Sequence, residues 1–332
     1  MDNDQVSDIF QRRAFPSKAE PARLLSTHIS WVILTPDYAF KIKKPVRFSF
    51  LDFSTPALRS FFCREEVRLN RRLAPDTYLG VLPIGLENGR PRIGKRNRSP
   101  LDYVVWMRRE DNSKELDVLL RTGNVVPEDM KKLAHTLAVF HKTYALRRPR
   151  FDPAELKNDF ADLFQYEQKL AGILNPESAS FFSELRSGLP LFMELHGTRL
   201  RERARTGFFT EGHGDLHTRN IFLTNPPVLF DCIEFNPQWR RLDVLNELAF
   251  LAMDLDYFHR PDLGDALLRY YREEHPCIIR PEDEALFLFF KAYRANVRLK
   301  VTLLGPLSPD SKETVKRYWE LLEGYWRKIN VF

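Results

Sequence analysis

Three oxygen-bearing side chains are spaced so that they can converge at one end of a β element, in the segment 208–235 with the sequence FFTEGHGDLHTRNIFLTNPPVLFDCIEF. Two short runs of strand-forming residues flank the turn Asn-Pro-Pro, which predicts a β-hairpin. In an antiparallel hairpin the residue before the first strand lies beside the residue after the second, which brings Asn220 next to Asp231. Asp215 lies five residues upstream of Asn220, in the loop that enters the hairpin.

These side chains predict metal-assisted chemistry on a hydroxyl group. Amide and carboxylate oxygens are ligands that Mg²⁺ prefers, so we expect Asn220 and Asp231 to hold the metal. The carboxylate of Asp215 is then placed to accept a proton from an incoming hydroxyl. Another interpretation takes His213, Asp215 and His217 as a zinc cluster for hydrolysis, but such a site needs further ligands that no motif supplies.

The elements that must position these residues change in type along the chain. Residues 28–44 alternate around a Thr-Pro-Asp-Tyr turn, which predicts a β-hairpin, and 56–74 has helical spacing. Beyond an apolar strand at 103–107 the sequence is mostly helical. We therefore expect an α+β fold with two lobes, a small β-rich N-lobe with one helix over 1–107 and a mostly helical C-lobe over 108–332.

The composition indicates a globular protein of the cytoplasm. Hydrophobic residues make up 43% and aromatic residues 13% of the 332 residues, which is ample for a packed interior. No apolar run approaches the roughly 20 residues of a membrane helix, and the first residues lack the pattern of a secretory signal. Three cysteines without a CxxC pair suit a reducing compartment. We expect no membrane partner, and the composition indicates no particular oligomeric state.

The net charge of +6 is unevenly distributed. Residues 1–110 hold 20 Lys and Arg against 12 Asp and Glu, whereas the remainder is slightly acidic. A basic region of this kind attracts either nucleic acid or the phosphates of a nucleotide. Because its basic residues are scattered among Phe and Leu and are not gathered in a tail, we favour a nucleotide over nucleic acid as the partner.

The order of Asp215, Asn220 and Asp231 resembles the catalytic loop of kinases, in which Asp is followed five residues on by Asn and then, after a short β segment, by a metal-binding Asp. The sequence HGDLHTRN resembles the catalytic-loop motif of the aminoglycoside phosphotransferase/choline kinase superfamily. The runs THISWVILTPDYAFKIKKPV, CREEVRLNRRLAP and DCIEFNPQWRRLDVLNELAFLAMDLD resemble a bacterial group of uncharacterised aminoglycoside-phosphotransferase-like proteins. The resemblance extends from about residue 24 to about residue 305.

The resemblance implies a protein-kinase-like fold and a phosphotransferase that uses ATP and Mg²⁺. The γ-phosphoryl group would pass to a hydroxyl of a small molecule, whose identity the sequence does not indicate. By position, Asp215 matches the catalytic base, and Asn220 and Asp231 match the metal ligands. Glu247 stands where relatives have an Asp that braces the catalytic loop, and we expect it to serve in the same way. Glu234 is a candidate for a second metal or for a substrate group.

Kinases of this kind hold the α- and β-phosphates with a strand lysine that pairs with a helix glutamate. Lys41, on the strand after the Thr-Pro-Asp-Tyr turn, is the best match, and Lys43 on the same face is the substitute. The alternative interpretation is that both lysines belong to a solvated basic edge strand and bind no ligand. The partner is Glu66 or Glu65 on the following helix. The resemblance favours Glu66, and only one of the two can face the strand because neighbouring helical positions point about 100° apart.

Two further nucleotide contacts follow from the resemblance. No GxGxxG motif follows the first strand, and relatives often replace it with small polar residues. The stretch 26–30, which ends in Ser30, is the candidate to contact phosphate. The strand that ends at Met107 is similar to the hinge strand of kinases, whose backbone meets adenine.

A pair of arginines, Arg294 and Arg298, lies four residues apart on a predicted C-terminal helix. Charged residues at this spacing commonly form a solvated helix face, which is the slightly favoured interpretation. The alternative is a wall of the acceptor site, since the superfamily builds that site from C-terminal helices. A pair of arginines would then suit an anionic acceptor.

Two other functions remain open on the same scaffold. A pseudokinase would bind the nucleotide in a regulatory or binding role, although the presence of every required residue type argues against it. A kinase acting on a protein would use the same catalytic residues, but no activation-loop or APE-like signature follows Asp231.

Overall fold

The structure is a computed structural model that describes residues 1–17, 20, 22–147, 149–175 and 178–329. An antiparallel sheet with helices precedes a mostly helical part, so the predicted α+β class is confirmed. In chain order the first elements are α1 (Asn3–Gln11), β1 (Arg23–Ser26), β2 (Ser30–Leu34), β3 (Tyr38–Lys43), β4 (Arg47–Phe48), β5 (Leu51–Asp52), α2 (Pro56–Asn70), β6 (Tyr78–Glu87), β7 (Arg90–Ile93), β8 (Asp102–Arg108) and α3 (Leu116–Arg121). The later elements are α4 (Pro127–Thr143), α5 (Pro153–Ala161), α6 (Glu167–Ala171), α7 (Ser178–Arg205), β9 (Phe209–Glu211), β10 (Ile221–Phe222), β11 (Val228–Leu229), α8 (Pro237–Arg240), β12 (Arg241–Asp243), α9 (Val244–Tyr257), α10 (Pro261–Glu274), α11 (Pro281–Leu304) and α12 (Pro309–Ile329).

The chain divides into two compact units, Met1–Val118 with Asn220–Trp239, and Leu119–Arg219 with Arg240–Phe332. These units do not coincide with the predicted lobes over 1–107 and 108–332. The segment after residue 219 belongs to the first unit because its backbone bonds there; for example, the N–H of Cys232 donates to the Asn70 side chain at 2.8 Å. Composition carries no signal for such a return of the chain.

The sheet of the first unit has the strand order β1-β2-β3-β8-β6-β7, and all neighbouring strands are antiparallel. Side chains alternate along β3. Phe40 and Ile42 lie in the core cluster that includes the buried residues of α1, whereas Ala39 packs in the cluster with α2. Lys41 and Lys43 share the face of Ala39, so the predicted placement of both lysines on one face of this strand is confirmed.

Helix α2 is held at its start by a cap and a buried ion pair. The Thr55 hydroxyl accepts a backbone N–H of the first turn at 3.2 Å. One turn further on, Arg59 bonds to both carboxylate oxygens of Asp102 on β8, at 2.9 and 2.8 Å. The helix ends at Asn70, short of the end predicted by the range 56–74, because the chain turns after it.

Helix α1 is an element of the first unit that the sequence analysis did not predict. Asp2 and Gln5 form a reciprocal capping box at its start. Val6 and Ile9 are fully buried in the core of the sheet. A nine-residue helix with only a few apolar positions gives too weak a periodic signal to be read from sequence.

In the second unit, α9 is the central helix. Its residues from Val244 to Leu255 are all buried, and α10, α11 and α12 pack against it. Helix α7 is joined to the start of α9 by Arg203, whose guanidinium bonds to both oxygens of Asp243 at 2.7 and 2.8 Å. Between α4 and α7 the chain forms α5, a 3-10 turn and α6.

Across the described ranges, none of the helices is both long and apolar enough to cross a bilayer. The thiols of Cys63 and Cys277 are buried and unoxidised.

Candidate active site

A fully buried glutamate of α2 binds both lysines of β3. The Nζ of Lys41 lies 2.9 Å from Glu66 Oε1, and the Nζ of Lys43 lies 2.6 Å from Oε2. Glu65 instead points to the outside, where it pairs with Arg68 at 2.8 Å. The structure therefore brings Glu66, and not Glu65, to the strand. The lysines differ in access, since the side chain of Lys41 is 14% exposed and that of Lys43 is 1% exposed.

Asp231 is the second partner of Lys41. Its Oδ1 lies 2.5 Å from Lys41 Nζ, and its side chain is 43% exposed. The backbone of Asp231 is left-handed, with φ of 62°, and its N–H donates to the Tyr78 hydroxyl at 3.1 Å. Asp tolerates this conformation better than most residues, but it still carries strain of the kind that gathers at functional sites. Tyr78 was missed from the sequence because nothing local marks it as a partner of Asp231.

The hairpin predicted from Asn-Pro-Pro is present as β10 and β11. Its register pairs Ile221 with Leu229, and the N–H of Phe230 donates to the backbone oxygen of Asn220 at 3.1 Å. The hairpin therefore brings Asn220 opposite Phe230, and Asp231 lies one residue further along, so the predicted pairing of Asn220 with Asp231 is off by one residue.

Lys43 forms a second ion pair that sequence analysis did not anticipate. Its ammonium contacts Glu234 as well as Glu66, and it lies over the ring of Phe53 at 4.8 Å. Glu234 is only 5% exposed. A metal or substrate role for Glu234 is therefore not supported, because its carboxylate is committed to Lys43 inside the first unit.

Two lysines thus face three carboxylates: Lys41 and Lys43 against Glu66, Asp231 and Glu234. Burial opposes the charge of Glu66, but the two lysines outweigh it and lower the pKa of Glu66 to about 2. Burial also opposes the charge of Lys41, yet the neighbouring carboxylates raise its pKa well above the ordinary value. With all five groups ionised the cluster carries one negative charge in excess. Its donor set therefore suits a cation at the exposed carboxylate of Asp231.

The two remaining nucleotide contacts predicted in the first unit lie inside the sheet. Ser30 is the first residue of β2, lies opposite Lys43 and is 1% exposed. Its backbone N–H donates to Thr27 Oγ1 at 3.0 Å. Among the described residues, its hydroxyl has no hydrogen-bond partner. This placement is unfavourable for a phosphate contact. Met107 lies one residue before the end of β8 and pairs with strands on both sides. The chain therefore leaves the sheet later than the predicted hinge.

Asp215 lies in a tight loop of the second unit, with its side chain 37% exposed. Gly214 has φ of 86°, a conformation that favours glycine, and the N–H of Asp215 donates to His213 Nδ1 at 3.3 Å. The ring of His217 lies 3.4 Å from Asp215 Oδ2. Desolvation opposes ionisation, but His217, Arg298 and His213 together hold the pKa of Asp215 below its usual range. The carboxylate is therefore ionised at neutral pH.

Glu247 on α9 braces this loop, as the resemblance implied. Its Oε1 accepts the N–H groups of His213 and Gly214, both at 2.7 Å. The approach is so close that a Cβ on Gly212 would lie 2.5 Å from the carboxylate. Although Glu247 is buried, the hydrogen bond from His141 and the charges near it lower its pKa to about 2. A glutamate thus satisfies backbone donors that would otherwise be buried without partners.

The interpretation of Arg294 as part of a solvated helix face is wrong. Arg294 is 6% exposed, and its guanidinium donates to Asn246 at 2.7 Å and to the backbone oxygen of Gly214 at 3.1 Å. It therefore supports the catalytic loop from α11. Arg298 is half-buried and donates to the Tyr318 hydroxyl at 3.3 Å.

Asp254 is a third support of the loop and was missed from the sequence. Its Oδ2 accepts the N–H and the hydroxyl of Thr218, at 2.9 and 2.6 Å. Glu247 and Asp254 are seven residues apart on α9, so they lie on the same face of the helix. Two buried carboxylates at this spacing in a mostly apolar helix are the signal that would have identified both.

The zinc interpretation of His213, Asp215 and His217 has no support. In the part of the chain that the structure describes, no group of three His, Cys, Asp or Glu side chains is arranged to hold a metal ion. The Nδ1 atoms of both histidines instead lie at backbone N–H groups of the loop, those of Asp215 and Arg219.

The arrangement of sheet, helices and loop is that of a known class. This chain has the protein-kinase-like fold of the aminoglycoside phosphotransferase/choline kinase superfamily, as the sequence resemblance implied. Aminoglycoside 2'-phosphotransferase-IIIa, solved as a GDP complex, is 15% identical with a TM-score of 0.54, and the match covers 98% of each chain. Choline kinase from Cryptosporidium parvum Iowa II is 12% identical with a TM-score of 0.54, and covers 99% of this chain and 97% of its own. At these identities the likeness shows the fold.

Relatives by sequence carry no assigned activity. No family model matches the chain. An uncharacterised protein of Mycobacterium tuberculosis strain H37Rv is 32% identical over 300 residues, which cover 87% of this chain and 56% of the relative. An uncharacterised protein of Mycobacterium bovis matches to the same extent. The chain thus spans little more than half the length of the curated relatives it matches.

Replacing Glu247 by Gln should lower the free energy of unfolding by about 3 kcal/mol at pH 7, because a carboxylate with a pKa of about 2, against an ordinary 4.5, is stabilised by the fold. This contribution is complete above about pH 4.5 and is lost as the pH falls towards 2. The gap between wild type and Glu247→Gln in urea titrations should therefore narrow below pH 4.5. The exposed Glu273→Gln serves as the control. An equal gap at pH 7 and pH 3.5 would contradict the assignment.

Proposed function

We propose that the chain is a phosphotransferase that uses ATP and Mg²⁺ and moves the γ-phosphoryl group to a hydroxyl of a small molecule. The observation that carries the proposal is the double contact of Lys41, with Glu66 on α2 and with Asp231 after the hairpin. Kinases require a strand lysine of this kind, paired with a helix glutamate, near a metal-binding aspartate. The fold supports the same class of reaction.

Lys41 is suited to bind phosphate because of its remaining hydrogen-bonding capacity. An ammonium group has three N–H donors, and one of them bonds to Asp231, whereas Glu66 is an ion-pair contact at 2.9 Å. Donor capacity is therefore left for a phosphate oxygen, and the partial exposure of the side chain gives access. Lys43 is fully enclosed, so we assign it the role of holding Glu66 and Glu234 in place.

Asn220 and Asp231 fit the metal in this proposal. One amide and one partly exposed carboxylate are hard oxygen donors. When bound, Mg²⁺ would neutralise charge on the phosphates and would complete its shell with phosphate and water oxygens. A second protein-only ligand set is not required, because Mg²⁺ in such sites keeps one or two protein ligands.

Asp215 is the base in this proposal. Its carboxylate is ionised at neutral pH and partly exposed, so it can accept a hydrogen bond from the acceptor hydroxyl and receive its proton. A low pKa does not conflict with this role, because phosphoryl transfer depends mostly on positioning and needs little proton abstraction early in the reaction. The supports from Glu247 and Arg294 keep the loop in one conformation.

Met107 is proposed as a nucleotide contact through its backbone near the end of β8, whereas the burial of Ser30 argues against a direct phosphate contact there. The acceptor is proposed to be a small molecule with a hydroxyl group. The unoxidised thiols of Cys63 and Cys277 suit the cytoplasm, where we place the protein.

Asp215→Asn should lower Mg-ATP-dependent phosphorylation in a metabolite pool by more than about 100-fold, because the base is removed while the shape is kept. Its affinity for Mg-ATP, measured by calorimetry, should stay within about twofold of wild type. The exposed Asp265→Asn in the same unit is the matched control and should behave as wild type. Wild-type turnover by Asp215→Asn would sink the assignment of the base.

Lys41→Met should weaken Mg-ATP binding by about 10- to 100-fold, since one charge-assisted hydrogen bond to phosphate contributes about 1.5–3 kcal/mol. Lys95→Met, in the same unit, removes an equal charge from a lysine whose side chain is 42% exposed and which pairs with Glu87 at 3.4 Å, and should leave the affinity unchanged. Calorimetric titration of both variants measures the difference. Equal affinities for the two variants would rule out Lys41 as the phosphate ligand.

A further inference from the structure

A row of polar side chains lies in the second unit behind the catalytic loop. Glu247 Oε2 contacts His141 Nε2 at 2.8 Å, and His141 Nδ1 contacts the Tyr271 hydroxyl at 2.7 Å. The same hydroxyl lies 3.0 Å from His275 Nδ1. Glu247, His141 and Tyr271 are at most 1% exposed, whereas His275 at the end of the row is partly exposed. The row thus runs from the surface to the loop through three helices, α10, α4 and α9.

The chemistry of the groups determines the direction of these hydrogen bonds. Glu247 is an ionised carboxylate and only accepts, so His141 must carry a proton on Nε2. Burial raises the pKa of Tyr271 well above its ordinary value, so its hydroxyl stays protonated and can donate to an imidazole Nδ1. The oxygen of Tyr271 can in turn accept a proton from His275.

The polar row occupies a buried position in which apolar side chains would need no hydrogen-bond partners. Burying a histidine and a phenol costs free energy unless each polar atom has a partner, and here each one does. The other end of Glu247 accepts two backbone N–H groups of the loop. If His141 did not bind Oε2, the carboxylate would be free to rotate away from His213 and Gly214.

We propose that His141 and Tyr271 are positioning residues, which orient Glu247 and through it the loop that carries Asp215. The inference rests on the proposed function for its effect on turnover. The proposed orientation of Glu247 does not depend on that function, because the hydrogen bonds from Glu247 to the loop amides exist whatever reaction the loop performs. Outer partners of this kind around a functional group change activity by about 10- to 100-fold when they are removed from comparable sites.

The test uses His141→Leu and Tyr271→Phe, with His141→Gln as the conservative variant. The Gln amide can still donate to Glu247, whereas Leu cannot. His135→Leu is the matched control, since His135 lies on the same helix with a side chain 64% exposed. Amide hydrogen exchange of peptides that cover residues 209–223 reports the hold on the loop, and peptides of β3 report the first unit.

We expect His141→Leu and Tyr271→Phe to speed exchange at the amides of residues 213 and 214 by at least about tenfold, without a change in β3. Turnover should fall by about 10- to 100-fold with the KM for ATP within about twofold. His141→Gln should recover most of the protection, and His135→Leu should match wild type.

Unchanged exchange at these amides in folded His141→Leu and Tyr271→Phe would overturn the proposal. The proposal would also be overturned if His141→Gln lost as much amide protection as His141→Leu, or if exchange rose uniformly over the whole second unit. Either result would indicate simple destabilisation. If the wild type transfers no phosphate at all, the proposed function fails, and the exchange measurement alone decides the positioning role.

Discussion

The first unit depends on the pairing of the buried Glu66 carboxylate with lysine, because an unpaired charge at that depth would cost several kcal/mol. Two lysines meet this requirement from alternate positions of β3, and each of them continues to another carboxylate. Lys41 reaches Asp231 and Lys43 reaches Glu234, so helix, sheet and the segment after the hairpin are tied through one glutamate. A change at any of these groups leaves the others buried with unbalanced charge.

The division of labour between the two lysines follows from their depth. Lys43, enclosed by Glu66, Glu234 and Phe53, can only hold its neighbours. Lys41 is one pleat closer to the exposed side chain of Asp231 and is itself partly accessible. A kinase lysine must be fixed in position and yet free to bind phosphate. The second lysine carries the structural charge, which leaves the first one for the ligand.

The second unit solves a different problem with the same residue type. Glu247 is also buried and ionised, but two of its partners are backbone N–H groups of the catalytic loop. Arg294 and Asp254 bind the same loop further along, at Gly214 and Thr218. Asp215 therefore lies in a turn whose backbone conformation favours glycine. Three helix side chains hold this turn in place. Its position depends on α9 and α11 more than on its own sequence.

Local sequence carried the parts of the site that depend on neighbours along the chain. The hairpin could be predicted from Asn-Pro-Pro, although its register places Asn220 opposite Phe230, one residue before Asp231. Lys41 and Lys43 followed from the alternation of a strand. Spacing alone could not decide how charged residues are buried, because burial depends on what packs against them from distant parts of the chain. The depth of Arg294, the Lys43–Glu234 pair and the row behind Glu247 are of this kind.

The same limit explains the differences in the fold. A short helix with few apolar positions, α1, is visible only once a sheet covers it. The return of 220–239 to the first unit depends on hydrogen bonds such as that between Cys232 and Asn70, which composition does not reveal.

The central claim is that this chain transfers the terminal phosphoryl group of ATP to a hydroxyl. Its most direct test is to incubate the protein and Mg²⁺ with ATP labelled with ¹⁸O in the γ-phosphate, in a metabolite extract, and to follow the label by mass spectrometry. The account predicts that the label appears in a phosphorylated organic product, and that it does so only when Mg²⁺ is present. Label that is recovered solely in unreacted ATP, or solely in inorganic phosphate, would contradict it.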